Sequence, residues 1–188
     1  AARRGNLHDK LRGPALLVSG MASSRNFRAN TYPFRASSHF LYFVGRSMEG
    51  SALLFRDGKT LLYTHAPDAA DALWHGPRPE LSAVCAQLGF DEVRPLDRLS
   101  ADVAELGDTL ATLPTEDARS AAWLSALTGR QQQPGSGDDL RHEADQQLAD
   151  AMIRLRLTHD AAAIEQLRHA ARISAAAHRA GMAATRPG

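Results

Sequence analysis

Cysteine is almost absent from this sequence, since Cys85 is the single one in 188 residues. One cysteine forms no internal disulfide, and no histidine pattern near it marks a catalytic nucleophile. Because a free cysteine usually behaves as a small buried hydrophobe, we predict that Cys85 is inert and fills space in the core.

Long hydrophobic runs are absent as well. No apolar run approaches the roughly 18 residues that are needed to span a bilayer. The first residues, AARRGNLHDKLRG, carry charge without a following hydrophobic stretch, unlike a secretory leader. We therefore expect a cytoplasmic protein with no membrane partner.

The motifs of a self-sufficient enzyme are missing too. The sequence has no Gly-rich phosphate loop and no nucleophile elbow. The run HEADQ at 142–146 resembles the start of a zinc-protease helix, but that motif needs a second histidine where Gln146 stands. His169 and His178 would lie on opposite faces of a helix, because each residue advances the helix by about 100°. These observations predict no catalytic residue and no metal ligand in this chain.

Charged residues are unevenly distributed, although the formal net charge is only +1. Residues 1–56 contain nine Arg or Lys and two acids, residues 57–151 contain seven and seventeen, and residues 152–188 contain six and two. A basic amino-terminal part could bind nucleic acid through phosphate contacts. The basic residues are scattered, however, and an acidic middle folded against them would cancel their field, so we expect no nucleic-acid partner.

The length suits one compact domain with at most a partial second one. Short apolar runs bounded by Gly, Pro or polar residues alternate with helical patterns, which predicts an α/β fold: a mixed β-sheet flanked by helices on both faces. The predicted strands are Pro14–Ser19, His39–Val44, Ser51–Phe55, Lys59–Thr64, Asp91–Leu96 and Thr109–Leu113. One predicted helix begins at Pro67. The others cover Glu80–Leu88, Asp97–Leu106, Asp117–Leu127, Leu140–Leu155 and most of the tail.

Two of these strand predictions are specific. The run HFLYFV at 39–44 would present hydrophobic residues on both faces of a strand, which is typical of a central strand covered by helices on each side. The pair Asp57-Gly58 separates two apolar runs and predicts a tight hairpin turn, because Gly accepts a positive φ without a Cβ clash.

The last third of the sequence divides into a loop and a long helix. The run GRQQQPGSGDD at 129–139 has no apolar anchor and predicts an exposed and mobile loop. The tail predicts a helix capped by Thr158, with Ile164, Leu167 and Ala171 in an apolar stripe. Little chain follows this helix, so we expect its packing partner to be missing from this chain.

Three segments carry a more specific pattern: RNFRANTYPFRASSHFLYFVG, ALWHGPR and the tail RLRLTHDAAAIEQLRHAARISAAAHRAGMAATRPG. Together and in this order they resemble the amino-terminal domain and the first catalytic-domain helix of Xaa-Pro aminopeptidases, in the creatinase and prolidase superfamily. The chain departs from that pattern at His39, where relatives often have an acidic residue, and at Arg78–Leu81, where Arg-x-x-Gly is usual. The matched motif positions are Tyr32, Pro33, Phe34, Arg35, Ser38, Phe40, Tyr42, Gly45, Trp74 and Gly76.

The resemblance implies that residues 1–156 form a non-catalytic domain and that residues 157–188 begin a catalytic domain of the pita-bread fold. It implies a parent enzyme that removes an N-terminal residue before proline with two divalent metals, Mn or Zn. Their ligands, two Asp, one His and two Glu, would follow Gly188. The implied partners are the chain's own catalytic domain, further copies in a homo-oligomer and a peptide with proline in second position. This segment would shape the cleft, support oligomerisation and be inactive alone.

The resemblance also places Arg35, His39 and Trp74 near the substrate cleft. Judged as residues alone, Arg35 could instead hold carbonyls or a carboxylate in a turn, His39 could be a packed or exposed side chain, and Trp74 could pack in a core or interface. Two alternatives stay open for the protein: a fragment of an Xaa-Pro dipeptidase, which is a prolidase, or a stand-alone binding module.

Overall fold

A computed structural model describes residues 1–27, 29–135 and 142–186 of the chain. The fold is α/β, as predicted, with five strands in one mixed sheet of order β4-β3-β2-β1-β5. The strands are β1 Ala15–Val18, β2 Ala52–Arg56, β3 Lys59–Thr64, β4 Glu92–Pro95 and β5 Ala111–Thr112. The helices of the described residues are α1 Ala2–His8, α2 Ser38–Val44, α3 Ala69–His75, α4 Leu81–Leu88, α5 Leu99–Ala104, α6 Ala118–Thr128, α7 Glu143–Arg156 and α8 Ala161–Ala184, with 3₁₀ turns at Leu96–Arg98 and Gly107–Thr109.

The direction of the strands follows from their pairing. β1 pairs antiparallel with β2 and parallel with β5, while β3 pairs antiparallel with β2 and parallel with β4. Four strands therefore run in one direction and β2 runs against them. The predicted hairpin between β2 and β3 is confirmed: Asp57 has φ 51° and Gly58 has φ 72°, the left-handed values of a tight two-residue turn.

Helices cover both faces of the sheet. On one face, Leu16 and Leu54 of the strands share a buried cluster with Leu99 and Val103 of α5 and Leu124 of α6. On the opposite face, the Phe55 ring meets the His8 ring of α1 and the Phe43 ring of α2 edge-on, each at 5.3 Å between centroids. Successive side chains of a strand point to opposite faces of the sheet, so one sheet contributes to two hydrophobic layers.

The prediction of a strand at 39–44 is wrong, because this run forms helix α2. The Ser37 side chain accepts a hydrogen bond from the Phe40 N–H and caps the helix, and Gly45 ends it in the left-handed conformation with φ 73°. Phe40, Phe43 and Val44 are buried, at the three- and four-residue spacing of a helix. Since every position of HFLYFV except His39 is apolar, hydrophobic periodicity could not distinguish the two structures.

Smaller corrections concern caps and burial. Asp160, rather than Thr158, caps α8 by accepting a hydrogen bond from the Ala163 N–H at 2.7 Å. Pro67 precedes the cap residue Asp68 of α3 instead of opening the helix. Cys85 is half-buried rather than in the core, and its Sγ donates to the Phe90 carbonyl at 3.4 Å. Part of the predicted loop 129–139 and the predicted helix start at Leu140 lie outside the described residues.

Helix α1 was not predicted from the sequence, and its buried Arg4 explains its position. The Arg4 guanidinium donates to the carbonyls of Phe43, Leu88 and Gly89 and lies 4.0 Å from the centroid of the Phe90 ring. One side chain thus satisfies carbonyls at the carboxyl ends of both α2 and α4, where backbone acceptors lack partners within the helix. Burial lowers the pKa of Arg4, while nearby Asp91 opposes this shift.

The chain forms two compact units, residues 1–152 and 153–188. The second unit contains the 24-residue helix α8, none of whose described residues is buried. Its large apolar side chains Ile164, Leu167, Ile173 and Met182 are between 38% and 77% exposed. Within the described part of the chain, no helix is long and apolar enough to cross a membrane.

Candidate functional site

The carboxyl ends of four strands meet at one edge of the sheet, because β1, β3, β4 and β5 run in the same direction. Loops at the carboxyl ends of parallel strands are the usual position of ligand sites in open α/β sheets. We call this side of the sheet the carboxyl edge. Residues 19–36 leave it after β1, and residues 65–68 leave it after β3 and lead into α3.

Hydrogen bonds of buried and half-buried hydroxyl groups connect the segments at the carboxyl edge. The Ser19 Oγ accepts a hydrogen bond from the Ser51 N–H at 2.8 Å, and the Ser51 Oγ lies 3.0 Å from the Thr64 Oγ1. The Ser37 Oγ donates to the Val18 carbonyl at 3.0 Å, and the Ser37 N–H donates to the Ser19 carbonyl. The last residue of β1 is thereby tied directly to the cap of α2, and the start of α2 is fixed on the carboxyl edge.

Arg35 and His39 lie on either side of that cap. Arg35 is exposed, and its Nη1 lies 3.4 Å from both the Ala36 carbonyl oxygen and the Ser38 Oγ, at the long end of hydrogen-bond distances. His39 is half-buried in the first turn of α2. The cap therefore carries both side chains on one short segment at the carboxyl edge.

Trp74 belongs to a different element, helix α3, which follows β3. Trp74 and its neighbour Leu73 are each 85% exposed, and α3 has no buried residue. The Asp71 carboxylate accepts hydrogen bonds from Arg78 at 2.8 Å and from His75 at 2.9 Å, and these bonds, first that of Arg78, lower the pKa of Asp71. The exposed apolar pair is thus carried by a helix whose end is held by its own polar contacts.

These three residues come from segments that leave the same edge of the sheet. Arg35 and His39 lie on the segment after β1, and Trp74 lies on the segment after β3. A guanidinium, an imidazole and an indole provide hydrogen-bond donors and an aromatic surface there, which are groups that can recognise a ligand. Their roles at a substrate cleft stay a prediction.

The described residues do not provide a metal centre. Among residues 1–27, 29–135 and 142–186, no group of three or more His, Cys, Asp or Glu side chains is placed to hold a metal ion. The resemblance implies that the two Asp, one His and two Glu of the metal centre follow Gly188, and this stays a prediction.

Two exposed aromatic residues at the carboxyl edge were not singled out from the sequence. Phe27 is 60% exposed and Tyr32 is 56% exposed, both on the segment between β1 and α2. Tyr32 entered the sequence analysis only as a motif position. The available signal was the interleaving of Arg, Asn and aromatic residues in the run RNFRANTY, which has no strand or helix period to explain it.

Comparison with known proteins identifies a family and solved structures that share this architecture. The sequence model of the family described as "Aminopeptidase P, N-terminal domain" matches residues 1–113. None of the curated protein sequences matches this chain at a significant level.

Solved structures share the fold at low sequence identity. A variant of Escherichia coli aminopeptidase P with one aspartate changed to alanine matches with a TM-score of 0.74 and 20% identity, over 100% of this chain and 44% of that one. Proline aminopeptidase P II from Yersinia pestis matches with a TM-score of 0.69 and 22% identity, over 100% and 45%. A zinc-substituted E. coli aminopeptidase P in complex with product matches with a TM-score of 0.58 and 20% identity, over 67% and 31%. This chain spans less than half the length of each of these proteins.

Proposed function

Because the chain belongs to the family of aminopeptidase P N-terminal domains, we propose that it is the non-catalytic amino-terminal part of a metal-dependent Xaa-Pro aminopeptidase. The observation that carries this proposal is the coverage: the family match spans residues 1–113, and the fold match spans the whole chain but only 44% of its relative. In this proposal residues 1–156 are the amino-terminal domain and residues 157–188 begin the catalytic domain.

The metal centre of the parent enzyme lies, in this proposal, in the part of the protein that follows residue 188. The product complex of a zinc-substituted relative supports metal dependence, and we propose two divalent ions, Mn or Zn. The substrate is a peptide with proline in second position, and the reaction removes the residue before it. The catalytic domain then covers the exposed apolar side chains of α8, which supports treating this helix as part of that domain.

Within the parent enzyme, we propose that the carboxyl edge shapes one wall of the substrate cleft. Arg35 and His39 provide donors at the start of α2, and Trp74 contributes an aromatic surface that helps close the cleft. The support for Trp74 is its 85% exposure, since burying an indole side chain stabilises an interface by several times what a surface ion pair does. In this proposal the surface around Trp74 also contacts another copy of the protein in a homo-oligomer, and the protein is located in the cytoplasm.

Peptidase assays on two forms of the protein test this proposal. With Mn²⁺, the full-length protein, expressed from the reading frame that extends beyond residue 188, is expected to cleave Ala-Pro-Ala, whereas the 188-residue chain is expected to be inactive. Turnover by the 188-residue chain alone, or none by the full-length protein, contradicts the proposal. Cleavage of Ala-Pro but not of Ala-Pro-Ala would identify a dipeptidase instead.

The same assay tests Trp74. The substitution Trp74→Ala in the full-length protein is expected to lower kcat/KM by on the order of tenfold, because the loss of one well-packed aromatic contact costs about 1.4 kcal/mol or more. Trp74→Phe, which keeps an aromatic ring, is the matched control and should retain most of the activity. Unchanged kinetics together with an unchanged oligomer size by light scattering would refute the role of Trp74.

A further inference from the structure

The segment between β1 and α2 contains a small ordered hairpin, which we call the aromatic finger and define as residues 23–27 and 29–32. Ser24 and Thr31 form an antiparallel bridge. The Tyr32 N–H donates to the Ser23 carbonyl at 2.9 Å, and the Arg25 N–H donates to the Asn30 carbonyl at 2.8 Å. Backbone hydrogen bonds therefore give these residues a defined shape outside the sheet.

The base of the aromatic finger is fixed to the rest of the domain through Ala22. The Ala22 N–H donates to the Glu49 Oε1 at 2.9 Å, and the Ala22 carbonyl accepts a hydrogen bond from the Arg119 Nη1 at 3.1 Å. Ala22 itself is buried. The backbone of the finger is thus held in position before any ligand arrives, which reduces the entropy that binding would cost.

The finger presents aromatic side chains to solvent. Phe27 is 60% exposed and Tyr32 is 56% exposed, while Tyr63 and Phe55 in the sheet are fully buried. The Arg25 guanidinium carbon lies 4.8 Å from the centroid of the Tyr32 ring, a cation–π distance. This contact places the guanidinium over the ring, and because Arg25 is exposed, its N–H groups can still bind a carboxylate.

The charge of this region is complementary to an anionic group. Four arginines and no acidic residue occur between Gly20 and Met48. Within the described residues no carboxylate forms an ion pair with Arg25. Glu49, which follows this region in sequence, accepts the Ala22 N–H. An occupant that combines apolar groups with one carboxylate would match both the rings and the guanidinium.

We propose that the aromatic finger binds the carboxyl-terminal part of a peptide, with Phe27 and Tyr32 contacting apolar side chains and Arg25 pairing with the terminal carboxylate. This assignment rests on the proposed function, because peptides are the ligand class that the parent enzyme takes. The finger then recognises the portion of the substrate that lies after the proline. Peptides with a free carboxyl terminus bind better than their amides.

Binding measured on the 188-residue chain tests this without any turnover. The probes are the pentapeptide Ala-Pro-Leu-Ala-Leu and its C-terminal amide, titrated into labelled protein and followed by NMR chemical shifts. The backbone amides of Arg25, Phe27 and Tyr32 are expected to shift on addition of the acid. The amide is expected to bind about fivefold more weakly, the size of an exposed ion pair of about 1 kcal/mol.

Variants complete a double-mutant cycle. Arg25→Gln is expected to weaken binding of the acid by the same factor and to abolish the difference in affinity between acid and amide. Phe27→Ser is expected to weaken the binding of both peptides. Lys10→Gln, which removes an exposed cation outside the finger, is the matched control and should bind as the wild type does. Equal binding of acid and amide by the wild-type chain, or shifts only outside the finger, overturns the proposal.

Two further outcomes separate this proposal from its alternatives. Tighter binding of oligouridylate than of the peptide at the finger overturns the peptide assignment in favour of single-stranded nucleic acid, which aromatic and Arg side chains also bind. Failure of the full-length protein to cleave Xaa-Pro peptides refutes the proposed function alone, because the NMR titration does not depend on turnover.

Discussion

At the scale of single residues, Asp102 of α5 is the buried centre of a polar cluster with side chains of the sheet. Its Oδ2 accepts hydrogen bonds from the Tyr63 hydroxyl and from the Arg94 Nη1, each at 2.7 Å, and Arg94 also binds Glu92. Burial opposes the ionisation of Asp102, but the bonds from Tyr63 and Arg94 outweigh it, so the pKa of Asp102 is lowered. Burial, with the neighbouring carboxylate, raises the pKa of Tyr63.

The lowered pKa of Asp102 makes part of the stability pH-dependent. A carboxyl group whose pKa is lower in the folded state than in the unfolded state stabilises the fold while it is ionised. This contribution is complete above the unfolded-state pKa of about 4 and disappears as the pH falls through the folded-state pKa.

Asp102→Asn is therefore expected to lower the free energy of unfolding by about 2 kcal/mol at pH 7, because it leaves the Arg94 charge without its least exposed partner. The difference from the wild type should shrink as the pH falls below about 4, towards the lowered pKa of the wild-type carboxyl group. Urea unfolding followed by circular dichroism measures both values. Asp97→Asn, at an exposed position in the 3₁₀ turn Leu96–Arg98, is the control. A difference that does not shrink at any pH below about 4 at which the protein still folds would contradict the assignment.

At the scale of elements, helix α2 shows how a cap decides between two structures for the same apolar run. Ser37 and Gly45 mark the two ends of the helix, and the intervening residues bury Phe40, Phe43 and Val44 against the sheet. The Ser37 Oγ makes two hydrogen bonds: it accepts one from the Phe40 N–H at 3.3 Å and donates one to the Val18 carbonyl at 3.0 Å. This hydroxyl group, together with the Ser37 N–H that donates to the Ser19 carbonyl, helps to position Arg35 and His39 at the carboxyl edge.

Ser37→Ala is expected to cost about 1–2 kcal/mol in the free energy of unfolding, since it removes the cap and leaves the Val18 carbonyl without this donor. Ser37→Thr, which retains the hydroxyl, should recover much of that loss. The adjacent Ser38→Ala is the matched control, because the Ser38 Oγ makes only a long contact with Arg35. Equal midpoints of urea unfolding for the Ser37→Ala and Ser38→Ala proteins would show that Ser37 does not act as the cap.

At the scale of the whole molecule, the core belongs to the first unit, residues 1–152. Helix α7 contributes to it through buried Leu148 and Met152, and the Asp145 carboxylate, held by Arg130, accepts the Thr112 N–H of β5 at 2.6 Å. Helix α8 contributes no buried residue. The stability of the chain should therefore depend on α7 and not on α8.

A chain that ends at residue 158 is expected to keep the thermal midpoint of the 188-residue chain within about 2 °C. None of the removed helix residues is buried, and the loss of such residues changes the free energy of unfolding by less than about 0.5 kcal/mol. Differential scanning calorimetry measures this. A chain that ends at residue 129 also lacks α7, and we expect it to lose cooperative unfolding. A drop of more than about 5 °C on removal of α8 alone would contradict this account.

Local chemistry in the sequence was sufficient for much of the fold. Glycine has no Cβ and accepts a positive φ, which predicts the Asp57-Gly58 turn and the helix ends at Gly89 and Gly129. A short apolar run predicts the strand around residues 15–18. Each of these signals acts within a few residues. The resemblance to aminopeptidase P domains likewise came from motif residues along the chain, and the family match confirms it. Arg35, His39 and Trp74 could be named from these motifs, although their roles are still a prediction.

Only the tertiary structure decided features that join residues far apart in sequence. Arg4 reaches carbonyls 39 to 85 positions away, and Asp102 meets Tyr63 across 39 positions. The direction of the strands brings the segments of Arg35 and Trp74 to one edge, and the exposure of Phe27 and Tyr32 depends on what the rest of the domain leaves uncovered. Sequence patterns report the preferences of neighbouring residues, whereas burial and distant hydrogen bonds exist only once the whole chain has packed.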